Sequence, residues 1–461
     1  MIETEPGFIF TVVVFLMALT VLVFVHEMGH YLVARWCKVK IDVFSVGFGR
    51  ELFGWTDKLG TRWKVSAIPL GGYVKFAGDA TGASNPDDEA LENMTAEEKA
   101  QSFHFKPLWQ RAAVVFAGPF VNILFAVILF AGLVYVQGQR VLSSEVGLVV
   151  QGSNADMAGL RTGDIILSVD GTSVDRLRDI AEIVQLLPDQ IIDILVERGG
   201  VEILFPVHIS SKIMTDRFQN EYAYGYLEIG PKYTPWIGNI QAGFPADIAG
   251  LEVNDLITKI DNVDIHDFQD VYDVVSVRPN NTVSIEVFRD GQLLEYIIKI
   301  GEKNAAKAGE EEKIVGFIGI GIAFGEYMSY GPIDALVEGT RQSVNTLRMI
   351  TTSMGQLIMG MRSVKEMGGP VRVAVMAGEV AQSGFDNFIR FVAMISINLG
   401  FVNLLPIPML DGGHLLFYGL EAAKGGPLPK RAQELAFMLG FVFVIGLMLF
   451  LTLNDLHSIA L

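Results

Sequence analysis

The sequence carries a His-Glu-Met-Gly-His motif, His26 to His30, directly after an uncharged apolar run from Phe8 to Val25. On an α-helix, residues four apart lie on one face about 6 Å apart along the axis, so both histidines can bind one metal ion. Glu27 stands outside this ligand pair, where it can accept a proton from a metal-activated water. Ionisable groups cost about 2.5–3.5 kcal/mol each at the centre of a bilayer, so they usually have a functional partner there. We interpret the motif as half of a catalytic zinc site.

A second motif, near the end of the chain, supplies a candidate third ligand. The sequence Asn403-Leu-Leu-Pro406-Ile-Pro408-Met-Leu-Asp411 ends another apolar stretch. Two prolines break a helix, and such a break is tolerated at membrane depth only beside protein or a water-filled cavity. A catalytic zinc typically keeps three protein ligands and one open position. The two histidines and Asp411 therefore predict one tightly bound Zn²⁺ per chain.

The composition favours a membrane protein with a soluble part. Of the 461 residues, 51% are hydrophobic and 19% are charged, and the mean hydropathy is +0.39. The net charge of −17, without a basic stripe, argues against nucleic acid as a partner. Because Cys37 is the single cysteine of the sequence, neither a disulfide framework nor a thiolate zinc site is expected.

Four segments are apolar and long enough to cross a bilayer. They are predicted at residues 1–34, 111–137, 387–412 and 433–455. Lysine and arginine flank the loop 35–110 and the short loop after the third span, whereas both tails lack them. By the positive-inside rule, both termini lie outside and both basic loops are cytoplasmic. The third span then ends on the side where the first span ends, which brings both motifs to one depth.

The segment between the second and third spans contains an internal repeat. The sequence Ala155-Asp-Met-Ala-Gly-Leu returns 91 residues later as Ala246-Asp-Ile-Ala-Gly-Leu, and an amphipathic helix pattern follows each copy. Such self-similarity marks two copies of one domain. The pattern is typical of PDZ modules, which we place at 141–212 and 237–303. Amphipathic helices at 317–386 are expected on the outer membrane surface.

Together, the two motifs and the repeat resemble those of the site-2 proteases, a family of intramembrane zinc metalloproteases, and most of all its bacterial branch that regulates the sigma-E envelope-stress response. The resemblance covers essentially the whole chain. It implies a zinc endopeptidase of the bacterial inner membrane, with both termini and the PDZ pair in the periplasm and the active site towards the cytoplasm. The implied roles are zinc ligation by His26, His30 and Asp411, general-base catalysis by Glu27, and contact of Asn403 with the substrate backbone or the developing oxyanion.

The resemblance also implies how the enzyme holds its substrate. A membrane-spanning helix must unwind before it is cut, and an exposed strand edge can accept the extended segment. Residues 62–76 are expected to form a hairpin of two short arms around a Pro-Leu-Gly-Gly sequence; packing of this hairpin over the span ends is compatible with the same pattern. The candidate substrate-binding residues are Val65, Ala67, Gly71 and Gly72 in the hairpin, together with Pro406 and Pro408. The implied substrate is a single-pass membrane protein, such as an anti-sigma factor already trimmed outside, or a signal-peptide remnant in the lipid bilayer.

The expected fold is a polytopic α-helical membrane protein with four spans, two periplasmic PDZ domains of β-rich α/β type and a membrane-associated β-hairpin on the cytoplasmic side. Two other functional classes fit parts of the pattern: a PDZ-bearing membrane scaffold with a structural metal site, and a metal transporter. Structural zinc sites are closed and usually rich in cysteine and histidine, whereas a transporter needs ligands along a path. The open fourth position and the single depth of the ligands favour the protease.

Overall fold

The computed structural model of the protein describes residues 7–79, 87–215, 221–231, 235–289, 291–304, 314–322, 326–360 and 368–460. The chain divides into two compact units. The first unit comprises Met1–Val136, Thr215–Asn220 and Tyr330–Leu461, and the second comprises Gln137–Met214 and Glu221–Ser329.

The described residues form helices and strands throughout both units. The helices are α1 Phe8–Trp36, α2 Asp88–Glu92, α3 Ala96–Gln101, α4 Leu108–Gln137, α5 Asn154–Ala158, α6 Leu177–Val184, α7 Pro245–Ala249, α8 Phe268–Ser276, α9 Pro332–Ile358, α10 Pro370–Gln382, α11 Phe385–Leu404, α12 Asp411–Lys424 and α13 Lys430–Ala460. The strands are β1 Ile41–Thr56, β2 Arg62–Phe76, β3 Gln139–Val141, β4 Val146–Val149, β5 Ile165–Val169, β6 Thr172–Ser173, β7 Ile191–Arg198, β8 Val201–His208, β9 Ser210–Thr215, β10 Glu221–Tyr226, β11 Ile229–Pro231, β12 Ile237–Ile240, β13 Leu256–Ile260, β14 Val263–Asp264, β15 Thr282–Arg289, β16 Gln292–Lys299, β17 Gly301–Asn304, β18 Ile314–Phe317, β19 Ile320–Ile322 and β20 Glu326–Met328.

Within the described residues, four helices are long and apolar enough to cross a membrane, which confirms the expected number of spans. They are α1, α4, α11 and α13, and their most apolar windows have mean hydropathies of 3.0, 2.5, 1.4 and 2.6. Only 11% to 44% of the residues in these windows are buried inside the protein. Such low burial of apolar residues is expected for helices whose side chains face lipid. The most enclosed of the four is α4. The third span is shorter than expected, since α11 ends at Leu404, just before the two prolines.

Strands β1 and β2 form one sheet with three ladders. Residues 41–46 pair on one side with residues 72–76 and on the other side with residues 62–65. Residues 62–65 pair in addition with residues 53–56. The two ends of β2 therefore flank the first half of β1, and among the described strands the outer edge of residues 72–76 has no further partner.

The hairpin expected within residues 62–76 is wrong. This stretch forms the single strand β2, and the tight turn of the hairpin lies before it. There the Asp57 carboxylate accepts hydrogen bonds from the backbone N–H groups of Leu59 at 2.8 Å and Thr61 at 3.0 Å. An aspartate that accepts a hydrogen bond from the backbone two residues later defines an Asx turn. The chain therefore reverses at this polar turn, and the Pro-Leu-Gly-Gly sequence lies inside β2.

The second unit contains two modules of the same construction. Each has a four-stranded sheet, with the order β6-β5-β7-β8 in the first and β14-β13-β15-β16 in the second. In each module a buried aspartate pairs with an arginine 34 residues later: Asp164 with Arg198 at 2.6 Å, and Asp255 with Arg289 at 2.6 Å. The internal repeat of the sequence is thus also a repeat of the structure, and both modules contain an ion pair at the equivalent place.

Candidate active site

The first motif places two imidazoles on one face of α1. His26 and His30 lie one helical turn apart, and their Nε2 atoms are 3.2 Å from each other. Asp411, the first residue of α12, reaches the same point: its carboxylate oxygens lie 3.2 Å from His26 Nε2 and 3.6 Å from His30 Nε2. Ligand atoms about 2.0–2.1 Å from a tetrahedral zinc are about 3.3 Å apart. Two imidazoles and one carboxylate at these separations therefore fit zinc, with the fourth position open.

A tight turn between α11 and α12 brings Asp411 to the histidines. Met409 adopts a φ of +90°, a strained conformation for a residue with a side chain. A β-carbon on Gly412 would lie 2.2 Å from the Leu405 carbonyl oxygen, and one on Gly413 would lie 2.5 Å from that of Ile407. Both positions thus require glycine, and the two residues after Asp411 let the chain turn sharply enough to aim its carboxylate.

Glu27 lies between the metal-binding atoms and the free edge of β2. The backbone of Val74 is within hydrogen-bonding reach of its carboxylate. A β-carbon on Gly72 would lie 2.7 Å from the Ser45 carbonyl oxygen and 3.2 Å from the Glu27 Cγ atom. The same β-carbon would lie 2.8 Å from Val23 Cγ1, so glycine at this position lets the strand edge approach α1 closely beside Glu27.

The backbone of α4 packs directly against the backbone of α1 in the helical turn that carries the two histidines. A β-carbon on Gly29 would lie 2.5 Å from the Ala117 carbonyl oxygen. A β-carbon on Gly118 would lie 2.4 Å from His30 Nε2 and 2.9 Å from His26 Cε1. The two glycines thus allow a backbone-to-backbone crossing directly behind the ligands.

The same helix also contacts the outer nitrogens of both imidazoles. The Nδ1 atom of His30 lies 2.8 Å from the Val114 carbonyl oxygen. The Nδ1 atom of His26 lies 3.2 Å from the side-chain amide of Asn122. Sequence reasoning missed Asn122 and Gly118; an amide and a glycine inside an apolar span were the signals that could have found them.

The hairpin turn is tied to α1 one residue beyond the second histidine. The Asp57 carboxylate accepts hydrogen bonds from the Tyr31 hydroxyl at 3.3 Å and from the Trp63 indole N–H at 3.0 Å. Burial acts to raise the pKa of the Asp57 carboxyl, but the side-chain and backbone donors around it outweigh that effect and lower the pKa. The charged carboxylate thus holds the sheet against the metal-binding helix.

A cavity of about 200 Å³ opens onto the site. Of the candidate residues, His26, Glu27, His30, Asp411 and Gly72 line it. Its other walls come from the end of β2, the short 3-10 turn Phe103–Phe105, α4, the turn before α12, α12 itself and α13: Tyr73, Val74, Phe76, Phe103, Val114, Val115, Met409, His414, Tyr418 and Phe437. The remaining candidates, Val65, Ala67, Gly71, Asn403, Pro406 and Pro408, are outside the set of described residues that line this cavity.

Two of these remaining candidates belong to a different ladder. Val65 pairs with Val46 and Phe53, in the part of β2 on the far side of β1 from Gly72. Ala67 follows directly in the same part of the strand. The strand edge that faces Glu27 is thus formed by the last residues of β2, after the Pro-Leu-Gly-Gly sequence.

A membrane-embedded zinc metalloprotease is the class of protein that these features fit: a His-Glu-x-x-His helix and an aspartate that could hold one metal ion, set among apolar spans. The model of peptidase family M50 matches residues 14–447, and the chain belongs to this family. A protein named as a zinc metalloprotease in Agrobacterium fabrum is 35% identical over 448 residues, which cover 97% of this chain and 96% of the relative. The regulator of sigma-E protease RseP of Escherichia coli is 33% identical over 462 residues, covering 97% of this chain and 99% of the relative. The RseP of Salmonella typhimurium is 32% identical over 451 residues, covering 96% and 97%.

Proposed function

We propose that this zinc metalloprotease of the inner membrane cleaves the membrane-spanning segments of single-pass proteins on the cytoplasmic side. The observation that carries the proposal is the position of Glu27. It lies beside three convergent candidate zinc-ligand atoms and beside a free strand edge, in a cavity lined by residues of the apolar helices α1, α4 and α13 together with β2 and α12. A carboxylate placed between a metal site and a peptide-binding edge is what hydrolysis of an extended peptide requires.

The chain's own residues divide the chemistry between them. His26, His30 and Asp411 would hold the metal, which when bound polarises a carbonyl and acidifies water. Glu27 accepts the proton of the attacking water and returns it to the nitrogen of the leaving strand, because it is the carboxylate nearest the ligand atoms that is not itself a ligand.

The edge of β2 would hold the substrate in an extended form. A peptide that adds to residues 71–74 gains backbone hydrogen bonds in exchange for those lost when its helix unwinds. The same addition places its backbone next to Glu27. We assign contact with the substrate backbone or oxyanion to Asn403, which ends α11 before the proline turn, and keep Gly71 and Gly72 as edge residues.

A substrate helix would need a way in from the lipid. An apolar cavity of about 280 Å³ lies among α1, α10, α11 and α13. Its lining includes Phe15, Leu19, Leu22, Val373, Phe391 and Met448. Such a surface suits the side chains of a membrane-spanning segment.

Cleavage by purified protein tests the proposal. A tagged single-pass substrate with a short outer tail should be cut in detergent, cutting should stop with a chelator, and Zn²⁺ should restore it. Glu27→Gln should lower the cleavage rate at least about 100-fold with zinc content unchanged, since an amide cannot act as the base. The matched control is Glu92→Gln, at an exposed carboxylate of α2. Cleavage by Glu27→Gln at the wild-type rate would mean that another group is the base.

We further propose that the two repeat modules are periplasmic PDZ domains that restrict which substrates enter. The E. coli and Salmonella relatives carry the name regulator of sigma-E protease, and we propose a single-pass anti-sigma factor as the substrate of this chain. A periplasmic module separated from the zinc site by a hydrocarbon core about 30 Å thick can supply neither a metal ligand nor a proton to that site. Deleting the modules should therefore leave zinc and cleavage of the short-tailed substrate intact and should increase cleavage of a substrate with a large folded outer domain. Loss of short-tail cleavage in a zinc-loaded deletion protein would instead make the modules activators.

A further inference from the structure

Asn122 is a fully buried amide in the middle of α4, a helix that is otherwise almost entirely apolar. Its Nδ2 atom lies 3.2 Å from His26 Nδ1. The other end of the amide, Oδ1, is buried and has no hydrogen-bond partner among the described residues. A buried polar group in a membrane span normally finds a partner on a neighbouring helix. Among the described residues, the partner of this side chain is the His26 ring alone.

The ring of His26 can serve a metal through only one of its nitrogens. Nε2 faces the other ligands, at 3.2 Å from both His30 Nε2 and the Asp411 carboxylate. A neutral imidazole carries one proton, so a lone pair on Nε2 requires the proton on Nδ1. That N–H then points at the Asn122 amide and needs an acceptor there.

The amide of Asn122 can supply this acceptor by a half-turn. When Asn122 Nδ2 faces the ring, His26 Nδ1 has to accept the hydrogen bond. The proton of the His26 imidazole would then be on Nε2, where the metal would bind. A half-turn about the Cβ–Cγ bond exchanges the nitrogen for the oxygen in the same place, and the two are told apart only by their hydrogen bonds. Because the far end of the amide has no partner among the described residues, no other contact opposes the exchange.

His30 also directs its Nδ1 atom to α4, and its partner there can only be an acceptor. The Nδ1 atom of His30 lies 2.8 Å from the Val114 carbonyl oxygen, which can only accept. Both imidazoles thus turn their outer nitrogens towards α4. The backbone of Asn122 is itself held from α11, where the Ser396 hydroxyl donates to its carbonyl oxygen at 2.7 Å.

We propose that Asn122 is a positioning residue of the zinc centre: its Oδ1 accepts the Nδ1–H of His26 and so keeps Nε2 free for the metal. The inference rests on the ligand set proposed above. Groups that accept from metal-bound histidines typically contribute 10–100-fold, as an order of magnitude, to metal affinity. Asn122 contacts no substrate in this role, and its effect on cleavage passes through His26.

Zinc affinity of the intact protein, measured by chelator competition, tests the role. Asn122→Leu keeps a similar volume but removes the acceptor, so the affinity should fall about 10–100-fold. Asn122→Asp offers only acceptors and should bind zinc at least about as tightly as the wild type. Ser396→Ala removes a hydrogen bond to the same residue's backbone but leaves its side chain facing His26, and should bind zinc like the wild type.

The aspartate variant separates acceptor chemistry from packing. Zinc binding by Asn122→Asp as weak as that of Asn122→Leu would overturn the proposal, because the side chain would then act through its shape. Wild-type zinc affinity in Asn122→Leu would overturn it as well. In a parallel measurement, full zinc retention by His26→Ala would refute the ligand set itself, which is a different result from either of these.

Discussion

The close crossing of α1 and α4 makes Gly118→Ala a stringent test of the metal site. An added β-carbon would lie 2.4 Å from His30 Nε2, whereas ordinary van der Waals contact begins at 3.4 Å. The ring or the helix must therefore move by about 1 Å. Zinc–ligand distances vary by only about 0.2 Å, so a shift of this size cannot be absorbed within the coordination sphere.

Gly132→Ala, on the same helix, is the matched control. The ideal β-carbon at this position has nothing within 4 Å. Alanine is favoured over glycine by about 1 kcal/mol in a helix interior, and this preference acts in both variants. Any difference between the two variants therefore reports the contact with the histidine.

Zinc content and chelator competition of the two purified proteins give the result. Gly118→Ala should bind zinc at least about 100-fold more weakly than the wild type, at the upper end of what indirect perturbations of metal ligands produce. Its cleavage activity should fall in parallel, whereas Gly132→Ala should match the wild type in both measurements. Wild-type zinc affinity in Gly118→Ala would show that α4 does not press on the ligands, and the packing argument would fail.

Three further predictions concern the proposed ligands, the strand edge and the repeat modules. Asp411→Ala should lose zinc in metal analysis, since two ligands remain; full retention would refute its role. Gly72→Ala should slow cleavage at least about tenfold with zinc still bound, because its β-carbon would press on Val23 and Glu27 and displace the strand edge from α1. Gly446→Ala, with open space around it, should behave as the wild type. Arg289→Met should destabilise the second module by about 2 kcal/mol, because the buried Asp255 loses its partner. Arg178→Met removes an exposed ion pair and should change the stability little. Hydrogen exchange of the intact protein distinguishes the two variants.

Several features of the site could be read from local sequence because they depend on local physics. The spacing of His26 and His30 follows from the helical period, and the apolar runs are long enough to span a bilayer by composition alone. The proline pair indicated a break in the third span, although the predicted end at residue 412 lies beyond the last residue of α11, Leu404. The repeat of 91 residues likewise predicted two modules of one construction, because copies of a sequence fold alike.

The hairpin shows where local reasoning stopped. Residues 62–76 contain strand-forming residues on either side of a turn-forming sequence, and this pattern predicts two paired arms. In the structure these arms pair with residues 41–46, one on each side. The pairing partner of a strand is set by the surfaces available to it in the folded protein, so local sequence could not show that Val65 lies in a different ladder from Gly72.

The sequence by itself determined the kind of chemistry: a helix with two histidines and a carboxylate, an aspartate after a proline break, and four spans to carry them. Only the tertiary structure decided how these parts meet. The contact of Gly118 with His30, the amide of Asn122 on His26 and the approach of Gly72 to Glu27 each join residues at least 45 positions apart. Periodicity and composition describe neighbours along the chain, whereas a zinc site is made by distances of a few ångströms between elements that only packing brings together.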